Sequence, residues 1–372
     1  MSGRIRVLMV LGNTRMGGVQ AFILNFLSHL DNSRFQVDLA INYEGDGGVS
    51  DEFRSYGCNI YILPYFKVYN YCRFCAEWKA FLKTHHYDII HGHSSNSASI
   101  YLGIAKKMGC VTIAHSHNGG YRGNKIQQIA KKFFVRKVGN VAEYWFACSD
   151  VAAQRLFGDS YKTYDKYFRI PNAIDSAKYR YSEKTAQDIR ERLGVAKDVL
   201  LCGHVGTFSQ QKNHSFLLEI FSELHKINPR AMMVLCGEGE MLSIVYEKAR
   251  QKRLLDSIIF TGVVKNVHEF MMAMDVLVFP SLHEGFPFSV IEAEATGLPV
   301  VMSDSITAEV DLTDIVYRIS LSESASDWAN KILCVKRPNR IHYNELIAHS
   351  EYDLVHLEDV LSSLYERMVP KE

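Results

Sequence analysis

The chain has 372 residues, a formal net charge of +1 and a composition that is 47% hydrophobic and 22% charged. This length allows two domains of ordinary size, and the composition indicates a globular protein rather than a disordered or fibrous one. The near-zero charge argues against a nucleic-acid partner, and no apolar run reaches the roughly 18–20 residues that a membrane span requires. The eight cysteines are scattered, which is typical of buried thiols in a reducing compartment. The first residues lead almost directly into a strand without a signal peptide, so we expect a cytoplasmic protein.

Strand and helix signals alternate along the first half of the chain. Short apolar runs predict strands, and apolar positions at helical spacing predict the helices between them. The strands are expected over Ile5–Leu11, Val37–Ile41, Ile60–Leu63, Asp88–His91, Val111–His117 and Tyr144–Ala147. The helices are expected over 17–30, Tyr71–Thr84, 96–108 and 124–138.

The same alternation starts again in the second half. Strands are expected over Leu200–Val205, Ala231–Cys236, Ile258–Thr261, Val276–Phe279 and Val300–Met302. Helices are expected over His214–Ile227, Met241–Gln251, 325–334 and 353–367. Beyond about residue 305 the pattern weakens, and the sequence predicts no element there except the last two helices.

Alternation of this kind predicts parallel sheets covered by helices on both faces. The pattern restarts in Arg169–Asp175, and the polar, charge-rich segment 176–198 follows. We therefore expect an α/β protein of two Rossmann-like, doubly wound domains, 1–175 and 176–350, with a C-terminal helix in 351–372. Open α/β sheets bind ligands at the carboxyl ends of their strands, so domains that face each other would form a site in the cleft between them.

The most informative motif is a pair of glutamates, Glu284 and Glu292, that lie eight positions apart. A buried strand, Val276–Phe279, is predicted before them, and the second glutamate lies in a helix that ends near Gly297. A helix start after a strand is a natural anion site, because its free N–H groups and its dipole point at the loop. Carboxylates on either side of such a site suit a ligand with hydroxyls on both sides of a phosphate, which describes a nucleotide sugar.

The spacing of Glu284 and Glu292 resembles the EX7E motif of the retaining GT-B glycosyltransferases, specifically glycosyltransferase family 4 with its capsule and exopolysaccharide members. The resemblance covers nearly the whole chain and is strongest between about 200 and 315. It implies the GT-B arrangement, with the C-terminal helix returning to the first domain. It also implies transfer of a sugar from a nucleotide donor, most commonly a UDP-sugar, to a hydroxyl of a glycan or lipid-linked glycan. Retention at the anomeric carbon is expected, with no metal and no cofactor besides the donor.

The resemblance gives the two glutamates distinct roles. Glu284 would accept hydrogen bonds from hydroxyls of the donor sugar, and Glu292 from the ribose diol. An ionised carboxylate suits this because it only accepts hydrogen bonds and can take two donors at once. The alternatives are solvated acids beside a helix start, or an acid/base pair of a glycosidase. The backbone amides expected to face the diphosphate are those of Phe286, Phe288, Ser289 and Val290.

The loop after the first strand of the second domain carries Thr207 and Lys212. The family has an arginine and a lysine here, both on the diphosphate. Lys212 matches the lysine, whereas Thr207 stands at the arginine position and offers only a neutral hydroxyl. Loss of such a transition-state donor costs on the order of 10²–10³ in rate in other enzymes, so a weak or inactive nucleotide-sugar-binding protein is the alternative. The alternative for Lys212 is an ordinary surface lysine in a turn.

Other loops resemble the donor site of the family less specifically. Gly17 and Gly18 follow the first strand, where a glycine pair lets the backbone approach the donor phosphate. Gly237 lies in a glycine-rich loop beneath the donor, and Val263 and Val264 would hold the nucleotide base by backbone contacts.

Histidines follow two predicted strands of the first domain. The resemblance aligns His117 with a family histidine near the sugar and its phosphate, and His115 is the next choice. Imidazole suits this place because it can donate to a hydroxyl or phosphate near neutral pH. His91 and His93 could line the acceptor side. No carboxylate or cysteine accompanies these histidines at metal-ligand spacing, so we predict no zinc site.

Two further hypotheses concern partners and function class. The segment Lys125–Lys137 interleaves basic and apolar residues at helical spacing, which suits peripheral contact with an anionic membrane as well as an ordinary surface helix. Tandem doubly wound domains also allow a nicotinamide-dependent oxidoreductase. The stretch Gly12–Gly17 lacks the G-x-G-x-x-G fingerprint, which argues against that class.

Overall fold

The structure is a computed structural model that describes residues 3–43, 48–94, 97–117, 137–284, 286–336 and 338–369. The chain divides into two compact units. The first unit comprises residues 1–173 together with 354–372, and the second comprises residues 174–353.

The first unit is built on a seven-stranded sheet whose neighbouring strands are all parallel. Its strands are β1 (Ile5–Asn13), β2 (Phe35–Tyr43), β3 (Ile60–Ile62), β4 (Ile89–Gly92), β5 (Val111–Ser116), β6 (Tyr144–Ala147) and β7 (Tyr167–Arg169). The described helices between them are α1 (Gly18–His29), α2 (Ser50–Ser55), α3 (Tyr71–Thr84), α4 (Ala98–Lys107), α5 (Val138–Val141) and α6 (Asp150–Phe157). The strand order is β3-β2-β1-β4-β5-β6-β7.

The interior strand β1 has the burial that this kind of sheet requires. Residues Val7–Val10 are at most 2% exposed, as expected for a parallel strand that is covered on both faces. Helix α1 contributes Phe22, Ile23 and Phe26 to the core, all at most 1% exposed. The C-terminal helix Leu354–Met368 belongs to this unit, and its Tyr365 is fully buried near the rings of Phe26 and Phe35.

The second unit contains a six-stranded parallel sheet. Its strands are β8 (Leu201–Val205), β9 (Met232–Cys236), β10 (Ile258–Gly262), β11 (Val276–Phe279), β12 (Val300–Ser303) and β13 (Val316–Ile319). The described helices are α7 (Glu183–Leu193), α8 (His214–Ile227), α9 (Leu242–Gln251), α10 (Val267–Ala273), α11 (Phe288–Ala295), α12 (Ala325–Leu333) and α13 (Arg340–Ala348). The strand order is β10-β9-β8-β11-β12-β13.

The order of strands reverses once in each sheet. In the first unit β1 lies between β2 and β4, and in the second β8 lies between β9 and β11. Ligands of doubly wound sheets bind outside the carboxyl ends of the strands at such a reversal. The loops after β1 and β4, and those after β8 and β11, are therefore the places to look for a site.

The predicted elements agree with most of the observed ones. Tyr71–Thr84, Tyr144–Ala147, His214–Ile227 and Val276–Phe279 have the predicted bounds. The strand predicted over Val111–His117 ends at Ser116, and the short strands β7 and β13 were not predicted. The helix predicted over 124–138 falls largely outside the described residues.

The polar segment 176–198 is structured rather than a bare connection. It begins with the short 3-10 helix Ser176–Tyr179 and continues with α7. Ser182 caps the start of α7 by accepting the Thr185 N–H, and Gly194 ends it in the left-handed region at φ +68°.

Among the described residues, no helix is long and apolar enough to span a membrane.

Candidate functional site

An ion pair between Lys212 and Glu284 lies at the strand reversal of the second unit. Lys212 ends a short 3-10 helix after β8, and Glu284 lies in the loop after β11. Lys212 Nζ is 2.9 Å from Glu284 Oε1, and the two side chains are only 15% and 10% exposed. The Lys212 ammonium also lies 4.3 Å from the ring centroid of Phe279. The sequence-predicted lysine and first glutamate are therefore brought together.

Gln211 holds the other side of the same carboxylate. Its Nε2 donates to Glu284 Oε2 at 3.0 Å and to the His283 carbonyl at 2.9 Å. Its carbonyl accepts the Leu282 N–H at 2.9 Å, so the loops after β8 and β11 are tied together by main chain as well. Gln211 was not predicted as a site residue, although it lies beside Lys212 in the same loop.

Glycines allow two loops to pack closely beneath this pair. The Gly206 N–H donates to the Cys236 carbonyl at 3.0 Å, and the Phe208 N–H donates to the Glu238 carbonyl at 2.8 Å. Gly237 adopts φ +145°, and a Cβ there would collide with the Gly206 carbonyl oxygen. Only glycine meets both demands without strain, so the predicted residue Gly237 shapes the floor of the loop that carries Thr207 and Lys212.

Helix α11 begins directly after the Glu284 loop, and its N-terminus has no side-chain cap. Pro287 precedes the first helical residue, Phe288, and no acidic side chain lies in the first turn. The first N–H groups of a helix lack intrahelical acceptors, and the helix dipole adds a partial positive charge. The Val290 N–H donates to the Pro287 carbonyl at 3.2 Å. That the amides of this turn face a diphosphate stays a prediction.

Glu292 lies in α11 and has a specific partner. Tyr179 donates its hydroxyl hydrogen to Glu292 Oε1 at 2.7 Å. Burial raises the pKa of Glu292, whereas the Tyr179 hydrogen bond and the charge of Lys212 act to lower the pKa. Tyr179 was not predicted, because it lies 113 positions earlier in the chain.

The remaining predicted donor-site residues of the second unit also follow carboxyl ends of strands. Thr207 is exposed after β8, Val263 is 70% exposed after β10, and Val264 is partly exposed beside it. Phe286 is buried and stacks on Tyr352, with their ring centroids 5.7 Å apart. Buried Ser289 lies in the first turn of α11.

Four histidines cluster at the carboxyl ends of β4 and β5 in the first unit. The strands pair with His91 opposite Ile113, so alternate residues along both strands share one face. His93 Nδ1 lies 2.7 Å from His117 Nε2, and His91 Nε2 lies 3.1 Å from His115 Nδ1. Phe22 of α1 packs against this cluster, with ring centroids 5.0 Å from His115 and 5.1 Å from His117.

The histidine cluster is neutral at physiological pH. Burial lowers the pKa of His91, His93 and His115 well below the usual value, and it lowers the pKa of His117 to about 3. Neighbouring imidazoles lower the pKa of the first three further, because a second positive charge would be repelled. Neutral imidazole can donate from one ring nitrogen and accept at the other.

The cluster bears on the prediction that there is no zinc site. One ring nitrogen from each of His91, His93 and His115 lies within 4.8 Å of the others, a closeness that sequence spacing did not indicate. The ring of His91, however, is already bonded on both sides, to Tyr365 through Nδ1 at 2.7 Å and to His115 through Nε2. The carbonyl of Ile170 acts on His115 and tends to raise its pKa. Hydrogen bonds from Tyr365 through His91 to His115 thus occupy both ring nitrogens of His91 in this structure. The absence of zinc stays a prediction.

The two glycines after β1 lie at the start of α1. Gly17 is extended, with φ −171° and ψ −178°, a conformation open to any residue. A Cβ on Gly18 would meet nothing within 4 Å. The local backbone therefore does not require glycine at either position. The close approach of a donor phosphate to these glycines stays a prediction. Of the basic segment Lys125–Lys137, only Lys137 lies within the described residues.

Comparison with known families assigns both halves of the chain. Residues 16–178 match the model of Glycosyltransferase Family 4, and residues 185–333 match the model of Glycosyl transferases group 1.

Individual relatives cover the chain more completely. The glycosyltransferase named EpsF of Bacillus subtilis (strain 168) is 32% identical over an alignment of 380 positions that covers 100% of this chain and 99% of that protein. The UDP-Gal:alpha-D-GlcNAc-diphosphoundecaprenol alpha-1,3-galactosyltransferase of Escherichia coli is 25% identical and covers 78% of this chain and 76% of its own. The solved structure of Anabaena Alr3699/HepE in complex with UDP-glucose has a TM-score of 0.81 at 16% identity, covering 98% of this chain and 100% of that one. Two Rossmann-like units, two matching family models and a relative of full length thus agree that the chain belongs to the GT-B glycosyltransferases.

Proposed function

We propose that this glycosyltransferase moves a sugar from a UDP-sugar to a hydroxyl of a glycan or lipid-linked glycan during polysaccharide synthesis, with retention at the anomeric carbon. The proposal rests first on the Lys212–Glu284 pair beside the uncapped start of α11. A cation and a helix N-terminus at one strand reversal suit a diphosphate, and a carboxylate beside them suits sugar hydroxyls.

The proposed chemistry needs charge stabilisation more than a protein base. The leaving diphosphate develops negative charge, which Lys212 and the α11 N-terminus would stabilise. On donor binding Lys212 would exchange Glu284 for the diphosphate, and Glu284 would turn to the sugar. The diphosphate would leave on the face that the acceptor approaches, and its oxygen would take the acceptor proton. We propose that this reaction needs no metal ion and no cofactor beyond the donor.

Relatives support the choice of donor and acceptor class. The E. coli relative is named for transfer from UDP-Gal to a GlcNAc-diphosphoundecaprenol, and the Anabaena structure holds UDP-glucose. We propose by analogy that UDP is the nucleotide here and that the acceptor is a growing glycan or a lipid-linked glycan. His117 would act on the sugar or its phosphate from the first unit, as the family resemblance implies. Contact of Lys125–Lys137 with the membrane surface is part of the same proposal.

A second candidate is a nucleotide-sugar-binding protein of low activity. It is favoured by Thr207, whose exposed, neutral side chain stands where the family has an arginine. Lys212 is then the cation left in this loop, and Glu284 already neutralises it. Donor binding without transfer to any acceptor would support this alternative.

The function is tested by incubating the protein with radiolabelled UDP-sugars and lipid-linked glycan acceptors in the presence of a chelator. The expected result is a glycosylated product from one UDP-sugar, whose anomeric proton coupling shows the donor's configuration. Product that forms only from a GDP- or ADP-sugar, or only after divalent metal is added, would contradict the proposal. Inversion at the anomeric carbon would contradict the proposed stereochemistry.

A further inference from the structure

Tyr179 makes a buried contact with the second glutamate of the motif. It is 8% exposed and ends the short 3-10 helix Ser176–Tyr179 of the second unit. Its hydroxyl donates to Glu292 Oε1 at 2.7 Å, which is the length of a strong hydrogen bond to a carboxylate. Tyr179 has no place in the chemistry proposed above, so its role must be sought in what it does to Glu292.

The segment that carries Tyr179 is fixed against α11. The Asn344 side chain donates through Nδ2 to the Ser176 carbonyl at 2.8 Å and to the Ala295 carbonyl at 2.9 Å. Ala295 is the last residue of α11, so this one amide joins the start of the Tyr179 helix to the end of the Glu292 helix. Ser176 also donates through its hydroxyl to buried Asp353. Tyr179 therefore reaches Glu292 from a braced position rather than from a loose loop.

The hydrogen bond acts on both orientation and charge. Burial raises the pKa of Glu292, which would favour the neutral acid, and the Tyr179 hydrogen bond opposes this by stabilising the carboxylate. Lys212 is the cation that acts on Glu292, while Asp175 acts on Tyr179 and the His268 ring packs 5.9 Å from it. Because Tyr179 occupies Oε1, the carboxylate is held with Oε2 directed elsewhere.

We propose that Tyr179 is a positioning residue for the nucleotide ribose: it fixes the Glu292 carboxylate, in its charged form, so that the second oxygen accepts a ribose hydroxyl. The inference rests on the proposed function, since it assigns part of the donor site. In this role Tyr179 would contact the carboxylate rather than the ribose itself. A carboxylate that is free to rotate or to take up a proton accepts such a hydroxyl less well.

The test compares UDP with 2′,3′-dideoxy-UDP, which lacks both ribose hydroxyls, by titration calorimetry on the full chain. Tyr179→Phe removes only the hydroxyl and is expected to weaken UDP binding roughly tenfold to a hundredfold, as for one hydrogen bond to a charged group. Binding of the dideoxy analogue should change less than twofold. The UDP deficit should grow as pH falls from 8 to 6, because Glu292 without its donor takes up a proton more readily.

Matched variants separate positioning from simple structural damage. Tyr181→Phe, two residues away, removes a hydroxyl that donates to Glu183 Oε2 at 3.4 Å and should leave UDP binding unchanged. In a Glu292→Gln background, Tyr179→Phe should add no further loss, because the partner charge is already gone. Thermal unfolding of each variant checks that the second unit remains folded.

The outcomes are distinct. Equal UDP affinity in wild type and Tyr179→Phe, or equal losses for UDP and its dideoxy analogue, would overturn the positioning role alone. Absence of UDP binding by the wild-type protein would overturn the proposed function together with this inference.

Discussion

Individual side chains set the charge balance of the candidate donor site. Lys212 is paired with Glu284 in the free protein, and both are mostly buried. A buried ion pair of this kind is costly to break by removing one partner, because the other charge is left uncompensated. On donor binding a diphosphate can replace the carboxylate at the ammonium, and the freed carboxylate can accept hydrogen bonds from sugar hydroxyls in addition to the one from Gln211.

Replacement of Glu284 by alanine is expected to abolish sugar transfer while the fold is retained.

Lys212→Gln should lower the turnover number on the order of 10²–10³-fold, as for loss of a transition-state donor. Steady-state kinetics with a UDP-sugar measures both effects. Lys226→Gln removes an exposed lysine that pairs with Glu223 and serves as the control. Unchanged turnover in Glu284→Ala would remove that glutamate from the site.

Thr207→Arg tests whether the missing cation limits the enzyme. The side chain is exposed, so arginine can be placed there without burying its charge. We expect faster transfer, because a second cation would stabilise the leaving diphosphate. Initial rates at saturating donor measure this. A rate equal to or below that of the wild type would show that Thr207 is not the limiting feature.

The candidate site lies on loops and helix starts. The sequence predicts some of these elements but not the contacts between distant ones. Most strands of both sheets and the loops after β8 and β11 follow from apolar runs such as Val276–Phe279 and from the glycines beside them. Short strands such as β7 lack a buried apolar run, since its residues are only partly buried or exposed, and they were missed. The Tyr179–Glu292 contact could not be predicted, because it depends on a brace from Asn344, far along the chain from both. The pairing of His93 with His117 likewise depends on strand register rather than on spacing.

Alanine substitutions at Gly237 and Gly18 compare a crowded glycine with an open one. Gly237→Ala should lower the free energy of unfolding by roughly 1–3 kcal/mol and weaken UDP binding, because the left-handed backbone and the Gly206 carbonyl both exclude a Cβ. Gly18→Ala should preserve or slightly raise stability, because open space surrounds it at the start of α1. Urea denaturation measures both. Equal stability of the two variants would contradict the packing described for the loop after β9.

At the scale of the whole molecule, the buried neutral histidines make stability depend on pH. Burial lowers the pKa of His117 to about 3 in the first unit and of His214 to about 4 in the second, with Lys212 adding to the latter. The unfolded chain takes up protons at these residues below about pH 6.5, whereas the folded chain does not. The free energy of unfolding that these neutral histidines contribute is therefore fully present above pH 6.5. It is lost progressively as the pH decreases towards their pKa values in the folded protein.

The expected loss is about 1.4 kcal/mol per pH unit for each histidine that stays neutral in the folded state, as an upper bound. Unfolding free energies from urea titrations between pH 7.5 and 5 measure this slope, with each unit followed by its own tryptophan fluorescence where transitions separate. His115→Phe, which removes one ring from the first-unit cluster, should flatten the slope of that unit. A free energy of unfolding that is constant over this range would contradict the burial of these histidines.

The central claim is that the second unit binds a UDP-sugar through Glu284, Glu292, Lys212 and the start of α11. It is tested most directly by thermal unfolding with UDP, GDP, ADP and their common sugar conjugates, with a chelator present, for the wild type and Glu292→Ala. A ligand that binds only the folded state raises its stability by about 2.7 kcal/mol at a hundred times its Kd. We expect a selective rise in melting temperature with UDP or a UDP-sugar, and a clearly smaller rise in Glu292→Ala. No shift with any of these ligands, or the same shift in both proteins, would contradict it.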